Sequence, residues 1–383
     1  MLAADLDYFL PPELIAQEPV EPRDHSRLMV VRRSDGSLNH HRFDELPQLL
    51  RPDDLLVFND TRVLRARLRG TKAGSGGRVE ALLLREVEMN LWEALLKPSA
   101  RLWPGTLLQF ASPDSSWRVP AQAVERTKAG WLVRFAPGAP EPTAHGGHGA
   151  DIRDWLPRLG EVPLPPYIHR AARDEAQYQT VYARRSAGGQ GDAVLDSAAA
   201  PTAGLHFSPA LLEALRARGV GTAYVTLGIG IGTFRPIQTT NVEEHIMHHE
   251  EFSVPAATAG AIAAQRKRGG RVVAVGTTTT RVLESVADAE GCVAPGSGST
   301  DIFMRPGYRF RCVDALLTNF HLPRSTLLAM IAAFAESEDE EARAKGGAGL
   351  PELTGVQKIR YAYSQAIAAR YRFFSFGDAM LIE

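Results

Sequence analysis

The sequence predicts an α/β major domain with an inserted small antiparallel β-barrel domain. Three observations lead to this fold class. The buried-strand pattern Leu55–Phe58 closes the first 60 residues. Between residues 63 and 159, short alternating apolar runs recur, separated by Gly, Pro, Asp and Ser. Beyond Gly160, strand-like runs alternate with helix-like segments, the order that is typical of an α/β domain. We therefore expect a discontinuous α/β catalytic domain, residues 1–62 and 160–383, and an inserted barrel domain, residues 63–159.

The barrel prediction depends on alternation. In each run, every second side chain is apolar, so a strand formed by that run has one face to bury inside a closed sheet. The runs are Val63–Leu68, Arg78–Leu84, Leu91–Leu96, Thr106–Phe110, Trp117–Val124 and Trp131–Phe135.

In the α/β region, a helix is predicted to begin at Pro209, because Ser208 can cap it and a leucine stripe follows. Gly269 and Gly270 stop a second helix, and Gly291–Ser299 is predicted to be a linker. The other predicted elements are strands at Val220–Leu227, Arg271–Val275 and Asp314–Thr318, and helices at Ala256–Arg268, Thr277–Ala287, Ser325–Ala335 and Gln357–Tyr371.

Composition excludes several classes of protein. The 383 residues are 44% hydrophobic and 23% charged, as in ordinary globular proteins. Cys292 and Cys312 are the only cysteines and lack CxxC spacing, which argues against a zinc ribbon, an iron–sulfur cluster and a disulfide scaffold. No apolar run is long enough to cross a membrane, and Met1–Asp7 has no signal-peptide features. We expect a cytoplasmic protein that is not bound to a membrane.

The net charge of −1 excludes a polybasic nucleic-acid binder but leaves room for a local basic face. Three sets of basic residues could form such a face, but each of them is also consistent with a solvent-exposed edge that binds no partner. The sets are Arg65, Arg67, Arg69 and Lys72; Arg266, Lys267, Arg268 and Arg271; and Arg305, Arg309 and Arg311.

The stretch Ala200–Phe207 is apolar or small except for Thr202 and His206, and Gly204 marks a turn in it. A solvated loop would not surround a histidine with apolar residues. The imidazole is either a core histidine bonded to a backbone carbonyl or a group that transfers protons. Taken alone, this stretch favours the core interpretation.

Two glycine-bearing turns are candidates for ligand binding. Gly276–Arg281 joins a predicted strand to a predicted helix, where free backbone N–H groups attract carboxylates or phosphates. It lacks the lysine and spacing of a Walker A loop, and its threonines could merely cap the helix. Gly228–Arg235 does not match GxGxxG, but its glycines indicate close approach of the backbone to a ligand or another strand.

His245–Glu251 is the densest cluster of titratable side chains. On a helix, His245 and His248 or His249 would share one face, which could bind zinc or supply an acid and a base. The cluster is not HExxH, and the strand-like Phe252–Val254 follows it, which argues against a metal site.

Two further segments place polar groups beside aromatic ones. They are Asp301–Tyr308, which contains Asp301, and Thr318–Pro323, which contains Asn319 and His321. Aromatic rings beside Arg and His suit the stacking of a nucleobase, although satisfied core aromatics would look the same.

Together and in this order, these segments resemble the S-adenosylmethionine:tRNA ribosyltransferase-isomerase family of the queuosine pathway, over nearly the whole chain. The matching segments are Leu14–Pro19 with Arg23–Leu28, Val57–Val63 with Ala66 and Arg67, Val162–Ile168, Tyr178–Tyr182, Ala200–Phe207, Gly232–Pro236, His245–His248, Val275–Thr278 with Arg281 and Leu283–Ser285, Val313–Pro323 with Ser325 and Thr326, and Tyr371–Met380.

The resemblance implies an α/β domain with an inserted barrel, and a reaction in which S-adenosylmethionine is a co-substrate rather than a cofactor. Its ribosyl group would be transferred to 7-aminomethyl-7-deazaguanine at the wobble position of tRNA and rearranged to an epoxycyclopentane. The products would be epoxyqueuosine-tRNA, adenine and methionine. The expected partner is tRNA carrying the deazaguanine precursor in its anticodon loop. No metal is expected, and nothing in the sequence requires more than a monomer.

Such a reaction needs proton transfers, because the sulfonium acidifies the ribose C5′ proton and loss of adenine calls for an acid. The turn from Gly276 to Thr280, together with Arg281, could hold the methionine carboxylate. The candidates for catalysis are His206, taken first, His321, His245, His248 and Asp60. The candidates for binding S-adenosylmethionine or tRNA are Thr202, Gly204, Gly276, Thr277, Thr278, Arg281, Arg62, Arg235, Asp301, Asn319 and Asp378.

One departure bears on activity. Where the family usually reads Val-Thr-Leu-His-Val-Gly, this chain has Gly228 in place of the histidine. Two alternatives therefore stay open: a non-catalytic relative that binds tRNA, and a metal-dependent hydrolase built on His245, His248 and His249.

Overall fold

The computed structural model describes residues 1–136, 151–170, 174–184, 196–230, 236–336 and 354–383. Among these residues the chain forms two compact units. The α/β unit comprises Met1–Arg62, Pro165–Leu195 and Ala200–Glu383, and the barrel unit comprises Val63–Leu164 and Asp196–Ala199. The predicted fold class is confirmed. The predicted limits of the two domains stay a prediction.

The strands are short, as is usual in globular proteins. In chain order they are β1 (Arg27–Val31), β2 (Leu38–Arg42), β3 (Leu55–Asn59), β4 (Arg67–Lys72), β5 (Arg78–Glu88), β6 (Leu91–Lys97), β7 (Leu107–Ala111), β8 (Arg118–Arg126), β9 (Trp131–Phe135), β10 (Gly221–Leu227), β11 (Glu250–Val254), β12 (Val272–Val275), β13 (Gly296–Thr300), β14 (Ala315–Asn319) and β15 (Ala379–Ile382).

The α-helices are α1 (Leu46–Leu49), α2 (Leu156–Leu159), α3 (Pro209–Ala217), α4 (Ala256–Lys267), α5 (Thr277–Val286), α6 (Thr326–Phe334) and α7 (Gly355–Ala368). Short 3₁₀ helices cover Ala3–Leu6, Pro12–Leu14, Arg23–His25, Phe43–Glu45, Ser99–Arg101, Ile152–Asp154, Glu175–Tyr178, Thr202–His206 and Val242–Glu244. None of the helices in the described part of the chain has the length and apolar character needed to cross a membrane.

The sheet of the α/β unit has the strand order β13-β11-β10-β3-β12-β14-β15-β1-β2. Its centre, β10-β3-β12-β14, is parallel, with Val225 opposite Asn59 and Val275 opposite Phe58. All five residues of β3 are buried, and Phe58 packs edge-on against Phe207 with ring centroids 5.0 Å apart. A strand covered on both faces and paired on both edges is the most strongly fixed element of such a sheet.

The barrel unit closes six antiparallel strands in the order β4-β5-β6-β9-β8-β7. Along β8, Val119, Ala121 and Ala123 are buried, whereas Arg118, Pro120 and Gln122 are exposed. The period-2 pattern of the sequence therefore corresponds to an apolar interior and a polar exterior.

Most predicted elements of the α/β region are confirmed to within a few residues. The side chain of Ser208 caps α3 by accepting a hydrogen bond from the Leu211 backbone N–H at 3.1 Å. The predicted linker Gly291–Ser299 is wrong, because β13 begins at Gly296. The helix on which His245 and His248 or His249 would share one face does not form, since His245 has extended backbone and β11 begins at Glu250.

Arg271, the last residue of the second predicted basic set, has a structural role. Asp54 is fully buried just before β3, and its two carboxylate oxygens accept hydrogen bonds from Arg271 at 2.9 and 2.7 Å. Arg271 precedes β12 and also donates to Glu383, the residue after β15, at 3.0 Å. This network joins the strands at the edge of the sheet where β3 and β12 begin.

Replacing Asp54 by Asn should lower the free energy of unfolding by roughly 3 kcal/mol, because Arg271 would keep a charge that has lost its buried partner. Chemical denaturation measures the change. Glu213→Gln is the control, since Glu213 pairs with Arg216 on the exposed surface of α3 and its loss should cost no more than about 0.5 kcal/mol. Equal stability of the two variants would contradict the anchoring role.

Candidate active site

The carboxyl ends of the four parallel strands meet at one edge of the sheet. The next residues in the chain are Gly228 after β10, Asp60 after β3, Gly276 after β12 and Phe320 after β14. The chain adds β10 on one side of β3 and then β12 on the other side, so the strand order reverses at β3. In open α/β sheets, ligands bind outside the carboxyl ends of the strands at such a reversal.

A pocket lies at this edge, within the α/β unit. Six predicted site residues line it: Thr202, Gly276, Thr277, Thr278, Asn319 and His321. The other lining residues are Tyr167, Ala200, Pro201, Ala203, Ile229, Thr318, Phe320, Leu322, Ser325, Leu327, Phe374 and Ser375.

The turn from β12 into α5 forms one wall of the pocket. Gly276 has a φ of +92°, which a residue with a side chain rarely adopts, and its N–H donates to the Leu317 carbonyl at 2.8 Å. The hydroxyls of Thr279 and Thr280 donate back to the carbonyls of Val275 and Gly276. Thr277 and Thr278 line the pocket, beside the backbone N–H groups of the first helical turn. This wall suits an anionic group.

Two side-chain amide contacts join the other walls. The Thr202 hydroxyl donates to Asn319 Oδ1 at 3.0 Å, and Asn319 Nδ2 donates to the Phe374 carbonyl at 3.2 Å. Thr202 lies in the 3₁₀ helix Thr202–His206, Asn319 ends β14, and Phe374 precedes β15. Asn319 therefore holds three separate segments in place around the pocket.

His321 is the histidine that the structure places in this pocket. Its Nε2 lies 2.8 Å from the Thr318 hydroxyl, and its backbone N–H donates to the Tyr363 hydroxyl, also at 2.8 Å. Burial lowers the pKa of its imidazole to about 3. The ring is therefore neutral at physiological pH and can accept a hydrogen bond or a proton.

Arg281 lies one turn along α5 from Thr277, is almost wholly buried and is not among the residues that line the pocket. Its Nη1 donates to Glu250, whereas Nε and Nη2 have no hydrogen-bond partner among the described residues. Glu250 also accepts from the Gly230 N–H at 3.3 Å, and Ile229, the residue before Gly230, lines the pocket. A buried guanidinium with two unsatisfied nitrogens is costly unless an anion binds it.

His206 is buried and is not among the residues that line the pocket, although it contacts one of them, Ala203. Its two ring nitrogens lie 3.2 Å from the Ala203 carbonyl and 3.0 Å from the Gly377 carbonyl, and its ring stacks on Phe43. Burial lowers its pKa. Its surroundings are those of a core histidine, and its catalytic role stays a prediction.

Gly204 also lies outside the pocket lining, and its lack of a side chain has a packing reason. A Cβ atom at this position would come 1.9 Å from the hydroxyl of Tyr182. The two predicted aspartates are bonded within the protein. Asp60 accepts from Arg184 and from Thr226, both at 2.7 Å, and Asp378 accepts from the backbone N–H groups of Arg27 and Arg372.

The remaining predicted residues are not brought into the pocket. His245 packs against Phe303, and exposed His249 lies 3.8 Å from Asp301. The structure places no group of three potential metal ligands together anywhere in the residues it describes, so His245, His248 and His249 do not form the alternative metal site there. Arg62 is half-buried three residues after β3. Arg235 lies outside the described residues.

Sequence reasoning missed an aromatic wall. The hydroxyls of Tyr167 and Ser375 are 2.7 Å apart, and the rings of Tyr167 and Phe374 are 4.8 Å apart. Nothing in the residue types of Tyr167, Phe374 and Ser375 indicates a binding site. Tyr167 lies in the family-like segment Val162–Ile168, and Phe374 and Ser375 lie in Tyr371–Met380.

Comparison with known proteins decides the family. The sequence profile of a family described as "Queuosine biosynthesis protein" matches residues 3–344 and 350–382. The chain belongs to this family. Two curated members are named S-adenosylmethionine:tRNA ribosyltransferase-isomerase: the protein of Symbiobacterium thermophilum, 47% identical over 388 residues, and that of Moorella thermoacetica, 47% identical over 382 residues. Each alignment covers 100% of both chains.

A solved structure of the queuosine biosynthesis family is similar as well. The crystal structure of S-adenosylmethionine tRNA ribosyltransferase from Thermotoga maritima is 36% identical and has a TM-score of 0.51. The match covers 99% of this chain and 100% of that chain. The resemblance drawn from the separate sequence segments is thus confirmed at the level of the family.

Proposed function

We propose that this member of the family is an S-adenosylmethionine:tRNA ribosyltransferase-isomerase. It transfers the ribosyl group of S-adenosylmethionine to 7-aminomethyl-7-deazaguanine at the wobble position of tRNA and rearranges it, giving epoxyqueuosine-tRNA, adenine and methionine. The pocket carries this proposal, because it combines an anion-binding turn, a neutral imidazole and an aromatic wall. The enzyme acts in the cytoplasm as a monomer, with no metal or further cofactor.

The pocket suggests an orientation for S-adenosylmethionine. The methionine carboxylate binds at the amino end of α5, beside Thr277 and Thr278, which line the pocket. Arg281, one turn further along the helix, bonds it through Nε and Nη2, which have no partner among the described residues. The adenine ring lies against the aromatic wall of Tyr167 and Phe374, since flat rings stack well on each other. The ribose and its C5′ carbon then lie between these ends, beside Asn319 and His321.

In this orientation, His321 accepts the proton from C5′. The positive sulfonium acidifies that proton, so a weak base can remove it, and burial keeps the His321 imidazole unprotonated at physiological pH by lowering its pKa. The hydroxyl of Thr318, 2.8 Å from Nε2, fixes the ring. His206 ranks below His321 for this role, because carbonyl oxygens already face both of its ring nitrogens.

The activity itself is tested by adenine release. The protein, incubated with S-adenosylmethionine and precursor-modified tRNA, should release adenine only when that tRNA is present, and EDTA should not change the rate. Chromatography measures the adenine. Binding of the tRNA without release of adenine would identify a non-catalytic relative, and loss of the activity with EDTA would identify a metal enzyme.

His321→Gln should lower kcat by about a hundredfold or more, the usual loss when a group that moves a proton in the transition state is removed. Glutamine keeps a hydrogen-bonding group beside Thr318, and turnover at saturating substrates measures the effect. His206→Gln is the matched control and should keep kcat within about tenfold of wild type. A larger loss in the His206 variant than in the His321 variant would reverse the assignment.

Arg281→Gln should raise KM for S-adenosylmethionine by roughly ten- to hundredfold with little change in kcat, because it removes charge-assisted hydrogen bonds to the carboxylate. Glu250→Gln breaks the same buried pair but leaves the guanidinium. If Arg281 only stabilises the fold, both variants should behave alike. If it binds the substrate, only the Arg281 variant should raise KM.

A further inference from the structure

One end of the barrel collects loops that are distant in the sequence. The end of β4 lies beside the start of β5 on one side and beside the start of β7 on the other. The start of β5 in turn lies beside the end of β6. The end of β8 and the start of β9 lie at the same end. Three connections therefore form one surface: residues 72–78, 97–107 and 125–131.

This surface, which we call the basic rim, has a strongly one-sided charge. Its three connections contain one acidic residue, Glu125, and six basic ones: Lys72, Arg78, Lys97, Arg101, Arg126 and Lys128. At the opposite end of the barrel, residues 85–91 and 111–118 contain Arg85 and Arg118 against Glu86, Glu88 and Asp114. Among these five connections, the excess of positive charge thus lies in the three of the basic rim.

Five of the six cations of the basic rim are exposed and available to a partner, whereas Lys72 is half-buried and donates to the Arg101 carbonyl. None of the six forms an ion pair with another described residue. The arginines in and before β4, which the sequence singled out, are already engaged. Arg67 donates to the Leu164 carbonyl at 3.2 Å, Arg69 donates to Glu161 at 3.0 Å, and Arg65 donates to the Pro157 carbonyl.

Trp103 stands in the middle connection of the basic rim. It is 73% exposed, whereas Trp92 and Trp131 are buried inside the barrel. Its backbone N–H donates to the Thr106 hydroxyl at 3.1 Å, and that hydroxyl donates back to the Trp103 carbonyl at 2.7 Å. A fixed turn therefore presents a large aromatic face to solvent beside Arg101.

We propose that the basic rim is a docking surface for the RNA substrate. Arg78, Lys97 and Arg101 bind backbone phosphates, and Trp103 stacks on an unpaired base. Proteins usually bind RNA without sequence preference through exposed cations that contact the phosphate backbone and through an exposed aromatic ring that stacks on a base. A surface of this kind contributes affinity but no chemistry. The inference rests on the proposed function for the identity of the RNA as tRNA.

The test is the affinity for precursor-modified tRNA over roughly 50 to 200 mM salt, compared between wild type and the triple variant R78Q/K97Q/R101Q. The variant should bind at least tenfold more weakly at the lowest salt. The slope of log Kd against log salt should fall by about two to three, one for each lost phosphate contact. KM for tRNA should rise, while kcat and KM for S-adenosylmethionine should not change.

The triple variant R85Q/R118Q/R134Q removes the same charge from the opposite end of the barrel and serves as the matched control. It should bind tRNA as wild type does. Trp103→Ala should weaken binding by roughly five- to hundredfold, and Trp103→Phe should restore most of it. Equal affinities and salt slopes for the two triple variants would overturn the proposal.

Failure of this inference is distinguishable from failure of the proposed function. If the wild-type protein binds tRNA and the R78Q/K97Q/R101Q variant does not, the basic rim is supported as the docking surface even when no adenine is released. If adenine is released and the variant binds tRNA unchanged, only the docking surface is refuted.

Discussion

Strand β3 pairs in parallel with β10 on one side and with β12 on the other, and all of its side chains are buried. Its register cannot slip, because a shift of one residue would exchange the two faces of the strand. The buried pair of Asp54 and Arg271 joins β3 and β12 where both begin. The carboxyl ends therefore align at one edge, and the pocket exists because Gly276, Asn319 and the residues after them are delivered there together.

Much of the fold could be predicted because apolar periodicity and helix caps are local. The buried run of β3, the Ser208 cap of α3 and the glycine before α5 can all be read from a few neighbouring residues. Strand β13 could not be predicted. It is an edge strand of Gly, Ser and Thr that is held by backbone pairing with β11, so its side chains carry no apolar alternation.

The site was harder to predict than the fold. Apolar neighbours in the sequence indicate that a histidine is buried, but they do not show whether it lies in the core or lines a pocket. His206 and His321 are both surrounded by apolar residues in the sequence, but only His321 lines the pocket. Thr202 and Asn319, which line the pocket, stood out both as polar residues among apolar or aromatic neighbours and as parts of the family-like segments. Tyr167 and Ser375 touch across 208 positions of sequence, a contact that no local pattern encodes.

On the proposed function, S-adenosylmethionine binds at the carboxyl ends of β12 and β14. A crystal of the protein soaked with S-adenosylmethionine, in the absence of tRNA, should show the carboxylate at the first turn of α5, within reach of Arg281, and the ribose beside His321. An ordered ligand elsewhere in the α/β unit, with this pocket empty, would refute this binding mode.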